Sequence, residues 1–160
     1  MVIILMGVTG SGKTTVGLAL AESLGWQFVD ADDYHPPANV AKMRAGIPLD
    51  DADRAPWLAS LQDAIVGWLQ SGTNVVLACS ALKQAYREEL LVNPQMKLVY
   101  LRGNPELISQ RLSQRHGHYM DPKLLASQFA TLEEPGGAVA VDIDTDVPEI
   151  VAAIRKALVL

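Results

Sequence analysis

The residues with the clearest chemical meaning run from Gly7 to Thr14, where the sequence GVTGSGKT matches the pattern G-x-x-x-x-G-K-[ST]. Glycines in such a loop let the backbone wrap closely around a phosphate, and N–H groups at the start of the following helix form a cradle for anions. Lys13 is predicted to reach the β- and γ-phosphates, and the Thr14 hydroxyl to ligate Mg²⁺. The pattern therefore predicts a nucleoside triphosphate site. Its expected contacts are Gly7, Val8, Thr9, Gly10, Ser11, Gly12, Lys13, Thr14 and Thr15.

Carboxylates follow the second predicted strand at Asp30, Asp32 and Asp33. Transfer of a γ-phosphoryl group needs Mg²⁺ held in place and an acceptor hydroxyl aimed in line. If the strand continued through Asp30-Ala31-Asp32, the alternation of side chains would put both carboxylates on one side. Asp30 would then help to hold the metal, while Asp32 would orient the hydroxyl or accept its proton. The alternative is that these are turn and cap residues, since aspartate is common at such positions.

A pair of arginines, Arg111 and Arg115, lies four residues apart on a predicted helix and so shares one face of it. A glycine-containing break and a short helix follow, a pattern typical of a mobile lid, which we place at about residues 115–132. Closure would exclude water and bring guanidinium charge to the transferring group. Both arginines are therefore predicted to be catalytic, and Arg111 also to contact the nucleotide. A solvated basic face is the alternative.

Other polar side chains are candidates for binding an anionic acceptor. Arginine offers bidentate binding to a carboxylate, which favours Arg54 and Arg87, and Lys83 supplies a further positive charge. His35 lies beside the aspartates and His118 falls in the predicted lid. Surface ion pairing is the alternative for each cation. The predicted substrate contacts are Asp32, His35, Arg54, Ser80, Lys83, Arg87 and His118.

The elements that must position these residues alternate between apolar runs and helical patterns, which predicts an α/β fold with a parallel sheet. Strands are expected at about 2–6, 27–30, 75–79, 97–101 and 138–143. Ligands of an open parallel sheet bind beyond the carboxyl ends of its strands, and the candidate residues fall there. This context favours a phosphate loop over an ordinary Gly-rich turn.

Helix ends are also marked in the sequence. Asp53 is expected to cap a helix with Pro56 in its first turn, and Asp146 with Glu149 resembles a capping box. Residues 82–91 are expected to form the helix that follows the third strand.

The composition favours one enzyme-sized domain, residues 1–160, and excludes several other classes. A net charge of −5 leaves no basic footprint for nucleic acid or an anionic membrane. Cys79 is the single cysteine, so no internal disulfide forms, and we expect it to be inert packing in a cytoplasmic protein. The apolar N-terminus is too short for a signal peptide, and no run is long enough to span a membrane.

Several blocks outside the phosphate loop carry a resemblance to a known family that covers nearly the whole chain. They are DADDYHP from Asp30, KM at Lys42 with GIPL from Gly46, DRAPWL from Asp53, CSALK from Cys79 with YR at Tyr86, GHYM from Gly117, SQF from Ser127 and LEEP from Leu132. The combination resembles the bacterial gluconokinases of the small P-loop type, which are related to shikimate kinase and the nucleoside monophosphate kinases.

This resemblance implies phosphorylation of D-gluconate at its 6-hydroxyl with ATP and Mg²⁺, and a homodimer. It also implies a three-layer α/β sandwich whose five-stranded parallel sheet has the order 2-3-1-4-5, with helices on both faces and a small lid. Another kinase of the same fold, acting on shikimate or a nucleoside monophosphate, is the alternative. A slowly hydrolysing nucleotide-dependent switch is less favoured, because the acidic cluster faces the phosphate loop.

Overall fold

The computed structural model describes residues 1–114 and 122–160 of the chain. Its sheet is parallel throughout and has the strand order β2-β3-β1-β4-β5, which confirms the expected order. The strands lie within one residue of their predicted ends. They are β1 (Val2–Met6), β2 (Gln27–Asp30), β3 (Val75–Ala78), β4 (Lys97–Arg102) and β5 (Val139–Asp142).

Helices cover both faces of this sheet and divide the core into two layers. They are α1 (Lys13–Leu24), α2 (Pro37–Arg44), α3 (Asp51–Ser71), α4 (Gln84–Leu90), α5 (Pro105–Ser113), α6 (Pro122–Thr131) and α7 (Val147–Leu158). Ile3 and Leu5 of β1 face one layer, with α1, α5, α6 and α7, while Val2, Ile4 and Met6 face the other, with α3 and α4. Side chains of a strand point alternately to its two sides, so a central strand covered on both faces needs a continuous apolar run. Among the described residues, none of the helices combines the length and the apolar character needed to cross a membrane.

The start of α3 differs from the prediction, since its N-cap is Asp50 rather than Asp53. Asp50 Oδ1 accepts a hydrogen bond from the Asp53 N–H at 2.7 Å, and Asp53 Oδ2 accepts one from the Asp50 N–H at 3.1 Å. This reciprocal capping box begins the helix three residues earlier, so Pro56 lies inside α3 and not in its first turn.

Two other helix starts are instructive. The helix after β3 begins at Gln84 rather than Leu82, because Ala81 has a φ of 44° and Lys83 is extended. Asp146 caps α7 by accepting a hydrogen bond from the Glu149 N–H at 2.9 Å, as predicted. The Glu149 carboxylate, however, accepts a hydrogen bond from the Thr145 hydroxyl.

Two glycines inside helices provide a matched test of this packing. A Cβ on Gly17 of α1 would stand 2.4 Å from Phe28 Cε1, whereas a Cβ on Gly67 of α3 would have no described atom within 4 Å. We expect Gly17→Ala to lower the free energy of unfolding by about 1–3 kcal/mol through overpacking. We expect Gly67→Ala to raise it by up to about 1 kcal/mol, because alanine favours the helix. Urea unfolding measures both, and changes of the same sign would contradict the packing of α1 on β2.

Candidate active site

A cavity of about 470 Å³ opens beyond the carboxyl ends of the strands. The phosphate loop, the end of β2, the start of α3, the loop after β3 and α6 all contribute to its walls. Residues far apart in sequence meet there because the carboxyl ends of parallel strands share one edge of the sheet. The predicted site residues that line it are Thr9, Lys13, Asp30, Asp32, His35, Arg54, Ser80 and Lys83.

The phosphate loop depends on glycines with left-handed backbone angles. Gly10 has a φ of +84°, and a Cβ there would stand 2.8 Å from Leu112 Cγ. Gly12 has a φ of +95° and is the N-cap of α1, so the loop turns directly into the positive end of that helix. The Ser11 hydroxyl is buried without a hydrogen-bond partner among the described residues. A loop of this shape with an unsatisfied buried donor fits a bound phosphate.

Lys13 lies at the start of α1 and lines the cavity. Its Nζ donates hydrogen bonds to the carbonyl oxygens of Gly7 and Val8, at 2.8 and 3.0 Å. The ammonium group is therefore held over the loop that would hold the phosphates. Thr14 and Thr15 are exposed in the first turn of α1.

The acidic residues are arranged by a turn and not by a continuing strand. β2 ends at Asp30, and Ala31–Tyr34 form a short 3₁₀ helix. Asp30 Oδ1 caps this helix by accepting a hydrogen bond from the Asp32 N–H at 2.9 Å. Strand alternation therefore does not align the two carboxylates, but both nonetheless line the cavity.

Asp32 is a carboxylate of raised basicity. Its side chain is 64% exposed, and partial burial in the cleft raises its pKa. The negative charge of Asp30 raises this pKa further, while Lys13 opposes both effects. A carboxylate in this setting suits the acceptance of a proton from a hydroxyl.

The carboxylates at the end of β2 also fit a magnesium ion, which prefers oxygen ligands and retains several waters. Asp30 and Asp32 present carboxylate oxygens to the cavity, and their repulsion would be relieved by a cation. Thr14 adds a hydroxyl in the first turn of α1. In the part of the chain that the structure describes, no group of three or more His, Cys, Asp or Glu residues could hold a metal. Asp30 and Thr14 are the residues that would hold Mg²⁺ here.

His35 is held as a neutral ring by Asn39, a buried residue that the sequence did not single out. Asn39 Nδ2 donates hydrogen bonds to the Asp53 carbonyl oxygen at 2.8 Å and to His35 Nδ1 at 3.1 Å. Because a carbonyl only accepts, the amide NH₂ faces both partners, so Nδ1 lacks a proton and Nε2 carries it. Burial and the charge of Arg54 lower the pKa of His35. The ring stacks on Trp57, with centroids 4.5 Å apart, and Nε2 lies 3.7 Å from Asp32 Oδ1.

Two predicted cations flank Tyr86 at the cavity. Arg54 and Lys83 lie 5.5 and 5.6 Å from the centroid of its ring. Lys83 Nζ donates a hydrogen bond to Asp51 Oδ1 at 3.0 Å, and the Tyr86 hydroxyl donates to the same oxygen. Arg54 Nη1 donates to the Tyr86 hydroxyl at 3.2 Å and to the Leu49 carbonyl oxygen at 2.8 Å. Arg54 and Lys83 thus give the cavity a cationic wall. Asp51, which the sequence analysis missed, also lines the cavity and partly neutralises this wall.

Arg87 is not brought to the cavity, which corrects its predicted substrate contact. Its side chain is buried, and its guanidinium donates four hydrogen bonds within the fold. The acceptors are the carbonyl oxygens of Ala81, Leu82 and Glu133 and the Gln84 side chain, at 2.7–3.1 Å. Arg87 therefore fixes the loop after β3 and does not face a ligand.

The structure describes Arg111 and the second part of the predicted lid. Arg111 Nη2 donates a hydrogen bond to the Ile143 carbonyl oxygen, which places it at the carboxyl end of β5. Arg115 and His118 lie outside the described residues, as does the first part of the predicted lid. The described part is α6, and one face of it lines the cavity through Leu124, Ser127, Gln128 and Thr131.

Cys79 confirms its predicted role as packing. Burial raises the pKa of its thiol to about 12, so it is not a nucleophile at neutral pH.

Comparisons with known proteins show which families this chain is similar to. A family model described as an AAA domain matches residues 2–135. A rat protein named "Probable gluconokinase" is 47% identical, over 98% of this chain and 97% of its own length. The crystal structure of a gluconokinase from Sinorhizobium meliloti is 42% identical, with a TM-score of 0.90 over 98% of this chain and 90% of that one. A shikimate kinase from Bacteroides thetaiotaomicron, 19% identical with a TM-score of 0.69 over 100% of this chain and 99% of that one, shares the fold.

The fold and the phosphate loop define a P-loop kinase that acts on a small molecule. Within that class, the chain belongs to the gluconokinase family. The resemblance extends beyond bacteria, since one of these relatives comes from a mammal.

The structural position of Arg87 predicts that its removal affects stability. Arg87→Met removes two buried and two partly buried hydrogen bonds and leaves the carbonyl oxygens of Ala81 and Leu82 without this donor, so we expect the free energy of unfolding to fall by about 3 kcal/mol or more. Arg155→Met, at a partly exposed position, is the control and should change it by less than about 0.5 kcal/mol. Urea unfolding of both variants measures the difference, and equal stability would contradict the structural position of Arg87.

Proposed function

We propose that the protein transfers the γ-phosphoryl group of ATP to the 6-hydroxyl of D-gluconate, giving 6-phospho-D-gluconate and ADP. The observation that carries this proposal is the single cavity that holds the phosphate loop, a basic carboxylate and a cationic wall together. Membership of the gluconokinase family supports the choice of acceptor. The homodimer that the family resemblance implies and the cytoplasmic location expected from the composition remain predictions.

The nucleotide side of the proposal rests on the phosphate loop. The backbone of residues 7–15 would surround the phosphates, with Lys13 neutralising the β- and γ-phosphates. Arg111, at the end of β5, is proposed to contact the nucleotide, and Arg115 to act with it on the transferring group. The Thr14 hydroxyl and the Asp30 carboxylate would hold Mg²⁺, which would supply positive charge that stabilises the phosphates.

The part of the cavity that binds the acceptor would hold the two ends of a sugar acid at different residues. Arg54 and Lys83 would bind the carboxylate, because both cations already line the cavity and Lys83 is held there by Asp51. Asp32 would accept the proton of the attacking hydroxyl, since its pKa is raised and its side chain is exposed to the cavity. The Nε2–H of His35 and the Ser80 hydroxyl would form hydrogen bonds with the other hydroxyl groups of gluconate. His118 stays a predicted substrate contact.

Release of ADP from Mg-ATP tests this function directly. Parallel reactions contain gluconate, shikimate, AMP or no acceptor. We expect rapid release with gluconate alone, together with 6-phosphogluconate as the identified product. Turnover with shikimate or AMP would keep the kinase and contradict the acceptor, whereas release independent of any acceptor would favour a nucleotide-dependent switch.

Asp32→Asn tests the proton acceptor. An amide cannot take the hydroxyl proton, so we expect kcat to fall by about 10²-fold or more while the KM for ATP changes little. Asp33→Asn is the matched control, because Asp33 lies in the same turn but does not line the cavity. Steady-state kinetics with gluconate measure both variants. A kcat close to that of the wild type in Asp32→Asn would remove Asp32 from the chemistry.

A further inference from the structure

Gln128 of α6 contacts the phosphate loop across 119 residues of sequence. Its Oε1 accepts a hydrogen bond from the Thr9 backbone N–H at 2.7 Å. Its Nε2 donates one to Thr9 Oγ1 at 2.9 Å. Both ends of one carboxamide are thus used on a single residue of the loop.

The orientation of this carboxamide is fixed by its partners. A backbone N–H only donates, so the side-chain oxygen must face it, and the NH₂ group then meets the hydroxyl oxygen. Rotation of the amide by half a turn would place two donors against each other at Thr9 N. The two hydrogen bonds therefore fix both the distance of Thr9 from α6 and the orientation of Thr9 relative to that helix.

Helix α6 forms one wall of the cavity. Leu124, Ser127, Gln128 and Thr131 line it, and their spacing places them on a single helix face. Leu125 is buried in the core behind this wall. Gln128 consequently joins the cavity wall to the loop that would hold the transferring phosphate.

The chain that follows α6 is anchored to the acceptor side. The Glu133 N–H donates a hydrogen bond to the Leu82 carbonyl oxygen at 2.8 Å, and Glu133 Oε1 accepts one from the Gln84 N–H at 3.0 Å. The Glu133 carbonyl oxygen accepts a further hydrogen bond from Arg87 Nη2 at 2.7 Å. The segment from Gln128 to Glu133 thus bridges the phosphate loop and the loop after β3, which carries Lys83 into the cavity.

We propose that Gln128 is a positioning residue that keeps the phosphate loop in register with the acceptor cavity, so that the γ-phosphate and the acceptor hydroxyl stay in line. This inference rests on the proposed kinase function. Gln128 does not need to touch the reacting atoms for this, because it acts through Thr9. A displacement of about 1 Å between reacting groups costs on the order of 10²-fold in rate even where binding is unaffected.

Gln128→Ala tests the proposal through the fate of the phosphoryl group. We expect kcat with gluconate to fall by about 10²-fold, with both KM values within about threefold of the wild type. A misaligned acceptor also leaves the γ-phosphorus open to water, which would give ADP and inorganic phosphate. The ratio of ADP to phosphorylated product should therefore rise above one, a change that lower stability alone does not produce.

Gln110→Ala is the matched control, since it makes the same substitution at an exposed position of α5. It should leave the kinetics and the ratio unchanged. Urea unfolding verifies that each variant is folded in the assay.

Thr9→Ala tests the two hydrogen bonds between Thr9 and Gln128 separately. It removes the hydroxyl that accepts from Nε2 but keeps the backbone N–H, so we expect a smaller loss of kcat than in Gln128→Ala. In the double variant, the loss should equal that of Gln128→Ala alone, because the shared contact is already gone. This variant also keeps the proposal testable if Gln128→Ala does not fold.

The outcomes separate the two claims. If the wild type is active, an unchanged ratio of ADP to phosphorylated product in Gln128→Ala would overturn the role of Gln128. The same conclusion would follow if the losses of kcat in Thr9→Ala and Gln128→Ala multiplied in the double variant. Absence of gluconate-dependent ADP release in the wild type would instead overturn the proposed function.

Discussion

The rest of the structure depends on the backbone path that the phosphate loop takes after β1. This strand lies between β3 and β4 and is buried on both faces, so the point at which it ends is fixed. Gly10 then lies so close to Ile108 and Leu112 of α5 that no side chain fits. Gly12 turns the chain into α1 with a left-handed angle. Lys13 and the positive end of α1 take their positions from this path, and Gln128 attaches to it through Thr9.

Charged groups of both signs line the cavity built on this loop. Asp30 and Asp32 lie beside Lys13, and partial burial together with the negative charge of Asp30 raises the pKa of Asp32. Arg54 and Lys83 occupy another wall, and Asp51 partly neutralises them. A ligand with a carboxylate at one end and a hydroxyl at the other matches both regions. The two cations favour an acid over a neutral sugar, although the substrate carboxylate would compete with Asp51 for Lys83.

The sequence predicted the parts of this arrangement that depend on local patterns. The phosphate loop, the strands and the position of Asp32 after β2 were all visible as motif, periodicity and strand end. The remaining features depend on contacts between distant residues. Gln128 contacts Thr9 only because α6 packs over the phosphate loop. Arg87 lies away from the cavity, where its guanidinium donates a hydrogen bond to the carbonyl oxygen of Glu133. The contact between Asn39 and His35 was not visible either, because His35 lies before the start of α2 and helical spacing does not relate the two residues.

The central claim is that the cavity holds a sugar acid with its carboxylate at the cationic wall and its far hydroxyl at Asp32. The most direct measurement is the site of phosphorylation, obtained from carbon–phosphorus coupling in the NMR spectrum of the product formed from ¹³C-labelled gluconate and ATP. The account predicts that the phosphate is attached at C6, the end opposite the carboxylate. Attachment at any other carbon, or no phosphorylated product, would contradict it.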